Sequence, residues 1–348
     1  MDQFFYINSK SDNHNELILT ITKNNKRNKM NNLKKIGLTA LAGSLVATSV
    51  AYAGELAVTG SAGMNLKNYS DSQTGKSVSM ANSVYFKGAG ETDSGLNVNV
   101  SFELDQGTAN NTSKGFDNHF VSVGNDTLGT VTLHGHGGAN SAAALDKTAA
   151  GDLWDNTLIN TTSAASTRMA PLSSKSGDNL LVYSLPTVVD GLSVAGSYQA
   201  KNTHGSGSSA FGASYTGVEG LSVSYGKGND ESVKGTKGDQ TIMKVSYVYG
   251  SVTVGASKND FDHTTSTIDQ EVSSYSIAYT VSDQISVTYG QETIDRSGKA
   301  TDIDVAGFSA AYTSGGMTAS FAQVEAENVN HTDALDAEVW KIGLSFAF

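Results

Sequence analysis

The sequence predicts an all-β fold, a transmembrane barrel of about 16 antiparallel strands in which the third long loop folds inward. Most segments after residue 54 place an apolar residue at every second position, which is the pattern of a strand with one apolar face. The connections between these segments alternate in length. Residues 137–177 form the one long stretch without alternation, and so long a connection is usually either functional or disordered.

The predicted strands are short runs bounded by turns rich in Gly, Asn, Asp and Ser. The clearest run places Val98, Val100 and Phe102 on one face and Asn, Ser, Asp and Glu on the other. The predicted strands lie near residues 56–67, 77–91, 96–105, 118–124, 128–136, 178–185, 191–200, 208–216, 220–227, 240–249, 251–259, 272–281, 284–294, 302–313, 317–326 and 337–348.

After the first strand, long and short connections take turns. The long ones are 70–76, 106–117, 137–177, 201–207, 228–239, 260–271, 295–301 and 327–336. The short ones are 92–94, 125–127, 186–190, 217–219, 250, 282–283 and 314–316. Long outer loops and short periplasmic turns are typical of an outer-membrane barrel. This parity places both chain termini of the barrel on the periplasmic side.

The N-terminal residues follow the order of a secretory signal peptide. A basic region over 30–35 precedes an apolar run, 36–50, which is too short to span a bilayer. Ala51 and Ala53 then form a small-x-small cleavage site, so we expect cleavage before Gly54. The predicted organisation is an upstream extension outside the fold (1–29), a signal peptide (30–53) and the barrel (54–348).

Composition narrows the classes of function. The chain has no Cys and a formal charge of −11, which excludes a disulfide scaffold and argues against nucleic-acid binding. The mean hydropathy of −0.24 is compatible with membrane strands, whose alternating signal averages out. Residues 1–53 hold seven of the 23 basic and three of the 34 acidic residues, which leaves 16 and 31 in the mature chain, a net charge of −15.

Tyrosines near the strand ends favour a membrane barrel over a soluble sandwich. Both folds alternate apolar and polar faces, but a membrane barrel also carries aromatic girdles at its two interfaces. We therefore expect the apolar face to meet lipid and the polar face to line the lumen. The expected girdle residues are Tyr183, Tyr198, Tyr215, Tyr225, Tyr247, Tyr249, Tyr275, Tyr279, Tyr289 and Tyr312.

Several stretches resemble the Gram-negative trimeric general porins, of alphaproteobacterial type. They are ELAVTGSAGMNL in the first strand, SVYFKGAGETDSGLNVNVSFELD (83–105), HFVSVGNDTLGTVTLHG (119–135) and LVYSLPTVVDGLSVAGSY (181–198). The last strand, WKIGLSFAF, ends on Phe348, and in outer-membrane proteins a terminal aromatic residue is part of the signal for barrel insertion. The resemblance covers 54–348 and rests on the order of these stretches.

The resemblance implies a channel in the outer membrane of a Gram-negative bacterium, usually a homotrimer. Small hydrophilic solutes and ions would diffuse through it passively, and 137–177 takes the position of the family's constriction loop. Catalysis has little support, since the chain holds no Gly-x-Ser-x-Gly elbow and no His-Glu-x-x-His motif. We expect no cofactor and no metal.

Charged residues of the loop and of the polar strand face are the candidate pore residues. Many general porins face the loop with an arginine cluster, but the mature chain holds only Arg168 and Arg296. Rings of Asp and Glu favour cations, so we expect a cation-preferring pore. The candidates are Asp146, Asp152, Asp155 and Arg168 on the loop, the wall lysines Lys67, Lys87 and Lys244, and the wall carboxylates Glu55, Glu103 and Asp105.

Other interpretations of these patterns stay open. His134 and His136 would face one side of a strand, but two imidazoles without a third ligand favour ordinary pore-lining residues over a metal site. Acidic loops near 260–271 and 325–336 suit contact with lipopolysaccharide through divalent cations or simple hydration. The alternatives to general diffusion are a substrate-selective channel with a saturable binding track and a plugged barrel that serves as a surface or adhesion protein.

Overall fold

The computed structural model describes residues 55–69, 76–105, 116–153, 177–200, 207–230, 238–264 and 269–348. Among these residues, no helix is long and apolar enough to cross a membrane. The strands are β1 (Glu55–Tyr69), β2 (Lys76–Glu91), β3 (Asn97–Asp105), β4 (His119–Asn125), β5 (Gly129–His136), β6 (Leu180–Ser184), β7 (Leu192–Gln199), β8 (Ser208–Tyr215), β9 (Leu221–Asp230), β10 (Gly238–Tyr249), β11 (Val252–His263), β12 (Gln270–Thr280), β13 (Ile285–Arg296), β14 (Ile303–Ser314), β15 (Met317–Glu327) and β16 (Ala337–Ala347).

These 16 strands form one closed antiparallel barrel. Each strand pairs with its neighbours in the chain, and β1 closes the barrel against β16. The closing register runs from Ser61 opposite Ala347 to Tyr69 opposite Val339. Two backbone hydrogen bonds between Gly60 and Phe348, of 2.8 and 3.0 Å, extend this seam to the last residue. The predicted fold class and strand number are confirmed.

The connections alternate in length as the sequence predicts. The short ones are 92–96, 126–128, 185–191, 216–220, 250–251, 281–284 and 315–316. Gly250 and Gly315 have φ of 60° and 59°, which a two-residue hairpin turn requires and which glycine adopts without a Cβ clash. All short connections therefore lie at one end of the barrel, and the strand ends that the long connections join lie at the other end.

The strand register separates an outer from an inner face. All ten predicted girdle tyrosines are at least 36% exposed and alternate with residues that face the lumen. In one register row, for example, the side chains of Val254, Ile277 and Tyr289 stand side by side on three neighbouring strands. This outer face is a continuous apolar surface, as a barrel surrounded by lipid requires.

The inner face is only partly polar, which corrects the expected division of the faces. At the long-loop ends of β12–β16 the inner positions are apolar and buried, and Leu153 packs against them. An apolar cluster occurs here because Leu153 and the inward side chains of neighbouring strands cover one another, so valine and isoleucine are removed from water inside the barrel. The cluster contains Tyr69, Val272, Ile294, Ile303, Val305, Val324, Ala326, Val329 and Val339.

Candidate functional site

The described part of the third long connection, residues 137–153, lies along the inner wall of the barrel. It leaves β5 at Gly137, includes one short 3₁₀ turn (Ala143–Leu145), and then contacts successive strands from β7 to β14. We call residues 138–153 the wall segment. Its course agrees with the predicted inward fold of this loop.

Glycines on the inner wall provide the space for the wall segment. A Cβ added to Gly226 would lie 3.1 Å from Ala142 Cα, and one added to Gly290 would lie 2.6 Å from Ala150 Cβ. At Gly307 the added atom would lie 2.6 Å from Leu153 Cδ2. These distances are shorter than ordinary van der Waals contact, so the segment reaches the wall only because these positions lack side chains.

Serine hydroxyl groups of the wall bind the backbone of the segment. Ser197 Oγ accepts the Ser141 N–H at 2.8 Å, and Ser257 Oγ accepts the Ala149 N–H at 2.9 Å. Ser274 Oγ accepts the Ala150 N–H at 2.9 Å. These bonds satisfy backbone groups that no strand neighbour could pair.

Thr148 is the point at which the segment is most firmly fixed. Its hydroxyl donates to Glu292 Oε1 on β13, a carboxylate that is only 1% exposed. The Thr148 Oγ1 atom also accepts the N–H groups of Gly151 (3.1 Å) and Asp152 (2.8 Å), and Asp152 Oδ1 accepts the Thr148 N–H at 2.8 Å. Asp152 has φ of 62°, an uncommon conformation that these bonds maintain.

Lys244 lies under the segment. Its Nζ donates to the carbonyl oxygens of Lys147 (2.8 Å) and Leu145 (3.3 Å), and Asn259 donates to the Asp146 carbonyl oxygen. Within the wall segment Lys147 has an exposed side chain, whereas Asp146 and Asp152 are half-buried. The segment therefore presents a cation as well as its carboxylates.

The predicted wall residues Lys67, Lys87, Lys244, Glu103 and Asp105 are on the inner face but not in one cluster, and the Glu55 side chain lies outside the described part of the structure. Lys67 pairs with Ser77, and Lys87 lies ten positions further along β2, a separation of roughly 33 Å along a strand. Lys87 lies 5.3 Å from the centre of the Tyr85 ring. Glu103 accepts a hydrogen bond from Asn118, and Asp105 is exposed at the end of β3.

Four of the predicted functional residues lie outside the described residues. They are Asp155 and Arg168 of the loop and the cleavage-site residues Ala51 and Ala53. Phe348, the predicted insertion terminus, is described: it closes the β1–β16 seam, and its ring covers Gly60.

Sequence reasoning missed Lys341, Lys147, Thr148 and Glu292. Lys341 alternates with Trp340 and Ile342 on β16 and pairs directly with Lys67, so the alternation alone would have indicated its inward direction. The attachment of Thr148 to Glu292 has no local signal, because 144 residues separate the two in sequence.

The two histidines of β5 have different surroundings. The His134 ring packs on Phe120 with 5.6 Å between ring centres. His136 Nδ1 lies 2.6 Å from Asp178 Oδ1 at the base of the loop. In the described part of the chain no group of three or more His, Cys, Asp or Glu side chains is arranged to hold a metal ion.

A closed barrel with an apolar outer surface, and with a chain segment held against its inner wall, is a channel of the outer-membrane class. The sequence matches the family described as "Gram-negative porin" over residues 37–332. The chain belongs to that family. It is a porin channel of the Gram-negative outer membrane and is not an enzyme.

Similar solved structures share this fold. The anion-selective porin from Comamonas acidovorans is 13% identical, with a TM-score of 0.66 over 85% of this chain and 100% of that one. A porin refined at 1.8 Å is 18% identical, with a TM-score of 0.60 over 84% and 100%. A triple mutant of Rhodopseudomonas blastica porin is 17% identical, with a TM-score of 0.61 over 84% and 100%. No curated protein matches the sequence.

Proposed function

We propose that this porin is a general diffusion channel for small hydrophilic solutes and ions, with a preference for cations. The observation that carries the proposal is the wall segment, which occupies the inner face from β7 to β14 and so narrows the lumen. Its fixed backbone gives a constriction of constant shape, as passive sieving requires. The chemistry of the passing solute then matters through size and charge alone.

The cation preference rests on carboxylates at two heights. At the long-loop end of the barrel, described acidic residues outnumber the basic ones, Lys76, Lys227, Lys258, Arg296 and Lys299. Such a mouth raises the local concentration of cations within about 10 Å at 0.1 M salt. The acidic residues there are Asp239, Asp260, Asp262, Asp269, Glu271, Asp295, Asp302, Asp304, Glu327, Asp333 and Asp336.

At the constriction we assign the charge selection to the loop carboxylates Asp146, Asp152 and Asp155, opposed by Arg168. Two observations support this assignment for Asp146 and Asp152: both belong to the wall segment, and both are close enough to Lys244 for their charges to influence it. Lys244 offsets at most one of these negative charges, and the exposed Lys147 of the segment also opposes them.

The test is the reversal potential of the purified protein in a planar bilayer under a KCl gradient. We expect cation selectivity that falls in the variant Asp146→Asn/Asp152→Asn/Asp155→Asn, since three negative charges leave the constriction. The matched control, Asp93→Asn/Asp126→Asn/Asp283→Asn, removes the same charge from short turns at the opposite end and should behave as wild type. Anion selectivity of the wild type would refute the charge assignment, and absence of current would refute the open channel.

We propose that the chain assembles as a homotrimer through the outer face of β1–β5. All ten outward-facing girdle tyrosines lie on β6–β14, and the outward positions described on β1–β5 carry neither Tyr nor Trp. This sector still exposes large apolar side chains, such as Val78 (81%) and Leu56 (63%). An apolar surface without interfacial Tyr or Trp suits contact with another subunit. A monomeric mass of the active protein in mild detergent would contradict this proposal.

Lipopolysaccharide is the proposed partner of the outer rim. On the outward face Lys258 lies 2.9 Å from Glu271 and 3.6 Å from Asp260, so the rim offers both a cation and carboxylates. Divalent cations would join these carboxylates to lipid phosphates. Chelation that leaves lipid binding unchanged would contradict this bridge.

We further propose that residues 30–53 direct export and are removed, and that Phe348 contributes to barrel insertion. Its position at the β1–β16 seam supports a role in closure. An N-terminal sequence of the mature protein that begins before Gly54 would contradict the cleavage site.

A further inference from the structure

We propose that the inner wall of β2–β5 carries a binding site for a neutral pyranose sugar. The site consists of Tyr85, Lys87, Asn99, Phe120 and His134. We call these five residues the aromatic patch. It goes beyond the proposed function, because it predicts saturable recognition of one class of solute inside a diffusion channel.

The aromatic patch lies on the inner face of the barrel. Phe120 and His134 alternate with Val121 and Leu133, which are 44% and 52% exposed on the outer face. The same alternation on β2 and β3 turns the other three side chains of the patch inward. All five side chains therefore belong to the wall of the lumen.

Phe120 and His134 form an aromatic platform on this wall. Their ring centres are 5.6 Å apart, and 50° separates the ring planes. The wall segment begins at His134, because a Cβ added to Gly138 would lie 2.7 Å from His134 Cγ. The Phe120 side chain is only half-buried, so part of its apolar surface is available to the apolar face of a ligand. The platform therefore lies beside the start of the constriction.

Lys87 stands across a shallow cleft from this platform. Lys87, Ser101 and Phe120 are in register on three neighbouring strands, which separates the outer two by roughly 10 Å. Ser101 is small and 6% exposed, so it forms the floor between them. Lys87 is exposed, and its Nζ lies 5.3 Å from the centre of the Tyr85 ring. Its ammonium group can therefore donate hydrogen bonds to a solute in the cleft.

The next row of the wall adds an amide and hydroxyl groups. Asn99, Ser122 and Thr132 are in register on β3, β4 and β5. Asn99 is exposed, and its Nδ2 donates to Ser122 Oγ at 3.5 Å. The cleft thus combines an aromatic ring with polar groups that donate and accept hydrogen bonds.

The nearest carboxylate on this wall is enclosed. Glu103 is in register with Tyr85, is 5% exposed and accepts a hydrogen bond from Asn118. A solute in the cleft therefore meets the ammonium group of Lys87 rather than a pair of opposite charges.

The chemistry of the cleft suits a pyranose ring. Such a ring carries weakly positive C–H groups on one face, which pack on the electron-rich face of an aromatic ring. The hydroxyl groups at its edge both donate and accept hydrogen bonds, as the polar side chains of the cleft do. A sugar is also neutral, so it passes the acidic mouth, which lowers the local concentration of anions.

The experiment measures how maltotriose, a linear glucose trisaccharide, reduces the KCl current of the full protein in a planar bilayer. In wild type we expect a saturable reduction. In Phe120→Leu the half-saturating concentration should rise about tenfold, since the ring is lost while an apolar side chain remains. In Lys87→Met it should rise about fivefold, since the donors of the ammonium group are lost.

Two matched controls separate this site from a general effect of the substitutions. Phe102→Leu and Lys76→Met change the same residue types on the outward face of β3 and β2, and both should keep the wild-type value. Equal weakening by these controls would overturn the site. A reduction that grows in proportion to sugar concentration, as viscosity alone would cause, would overturn it as well.

Benzoate tests the class of ligand, because it offers a ring face together with a negative charge. A saturable reduction by benzoate at lower concentrations than maltotriose requires would overturn the assignment to a neutral sugar. The KCl current without added solute tests the proposed function separately. Loss of that current in wild type would contradict the channel itself, whereas a normal current without saturation by maltotriose would overturn the sugar site alone.

Discussion

Replacing Thr148 by valine should release the wall segment from the barrel while the barrel itself stays folded. Valine has nearly the same shape, so the change removes the hydroxyl group alone. That hydroxyl donates to the buried Glu292 carboxylate and accepts two backbone N–H groups. A hydrogen bond to a charged group contributes about 1.5–3 kcal/mol and a neutral one about 1 kcal/mol. Part of this loss of free energy is recovered because the freed N–H groups can bind water, so the net weakening of the attachment is about 3 kcal/mol.

A change of about 3 kcal/mol shifts the equilibrium between attached and detached segment by a factor of about a hundred. We expect wild-type single-channel current to be steady and the Thr148→Val current to fluctuate between two or more levels. Thr132→Val is the matched control, because Thr132 also faces the lumen, on β5, where its register partners are Ser122 on β4 and Val182 on β6. Both variants should keep the resistance of the barrel to unfolding in detergent. Identical current noise in the two variants would refute the assigned role of Thr148.

Two further predictions concern the seat of the segment and an outer loop. In Gly212→Ala the new Cβ would overlap the Ser141 carbonyl oxygen, whereas in the control Gly196→Ala the nearest atom lies 4.0 Å away. Only Gly212→Ala should therefore change the single-channel conductance. Equal conductance of the two variants would contradict the close contact between the wall segment and β8. Burial, with the negative charges of Asp295 and Asp304, raises the pKa of Asp302 above its ordinary value, although His331 opposes this. The loop should therefore be more stable below the ordinary Asp pKa and lose that stability as pH rises through the raised pKa. Hydrogen exchange of the backbone amides of residues 297–302, corrected for intrinsic rates, measures the stability of the loop. In Asp302→Asn this stability should no longer depend on pH.

The barrel could be predicted because its signal is local. Alternation identifies each strand separately, and the short turns fix which strands are neighbours. The prediction of strand ends is less accurate on the long-loop side: the pattern predicts that β11 ends at 259, whereas the strand ends at His263. Beyond the apolar band the outward residues are carboxylates, such as Asp260 and Asp262, and an alternating strand with a charged face resembles a loop in sequence.

The constriction was predicted in position but not in its contacts. Gly226, Gly290 and Gly307 are spread over 82 positions of sequence, and only the register of the strands brings them beneath one segment. The role of Lys244 was likewise hidden, since its bonds to segment carbonyls depend on the path of the backbone. Contacts between distant parts of the chain leave no periodic pattern in either part.

The attachment of the wall segment also explains why the lumen has an apolar region. The first half of the segment lies on small residues and serine hydroxyl groups, whereas Leu153, at its end, packs on the buried apolar cluster that includes Ile294 and Val305. Burial of a leucine side chain contributes about 1.5–3 kcal/mol and needs no specific direction, so it can complement the directional bonds of Thr148. The groups that hold the segment face the wall, while Lys147 faces away from it. The charge of Lys147 can therefore change without loss of the constriction, whereas Asp152 serves both attachment and charge selection because its Oδ1 also accepts the Thr148 N–H.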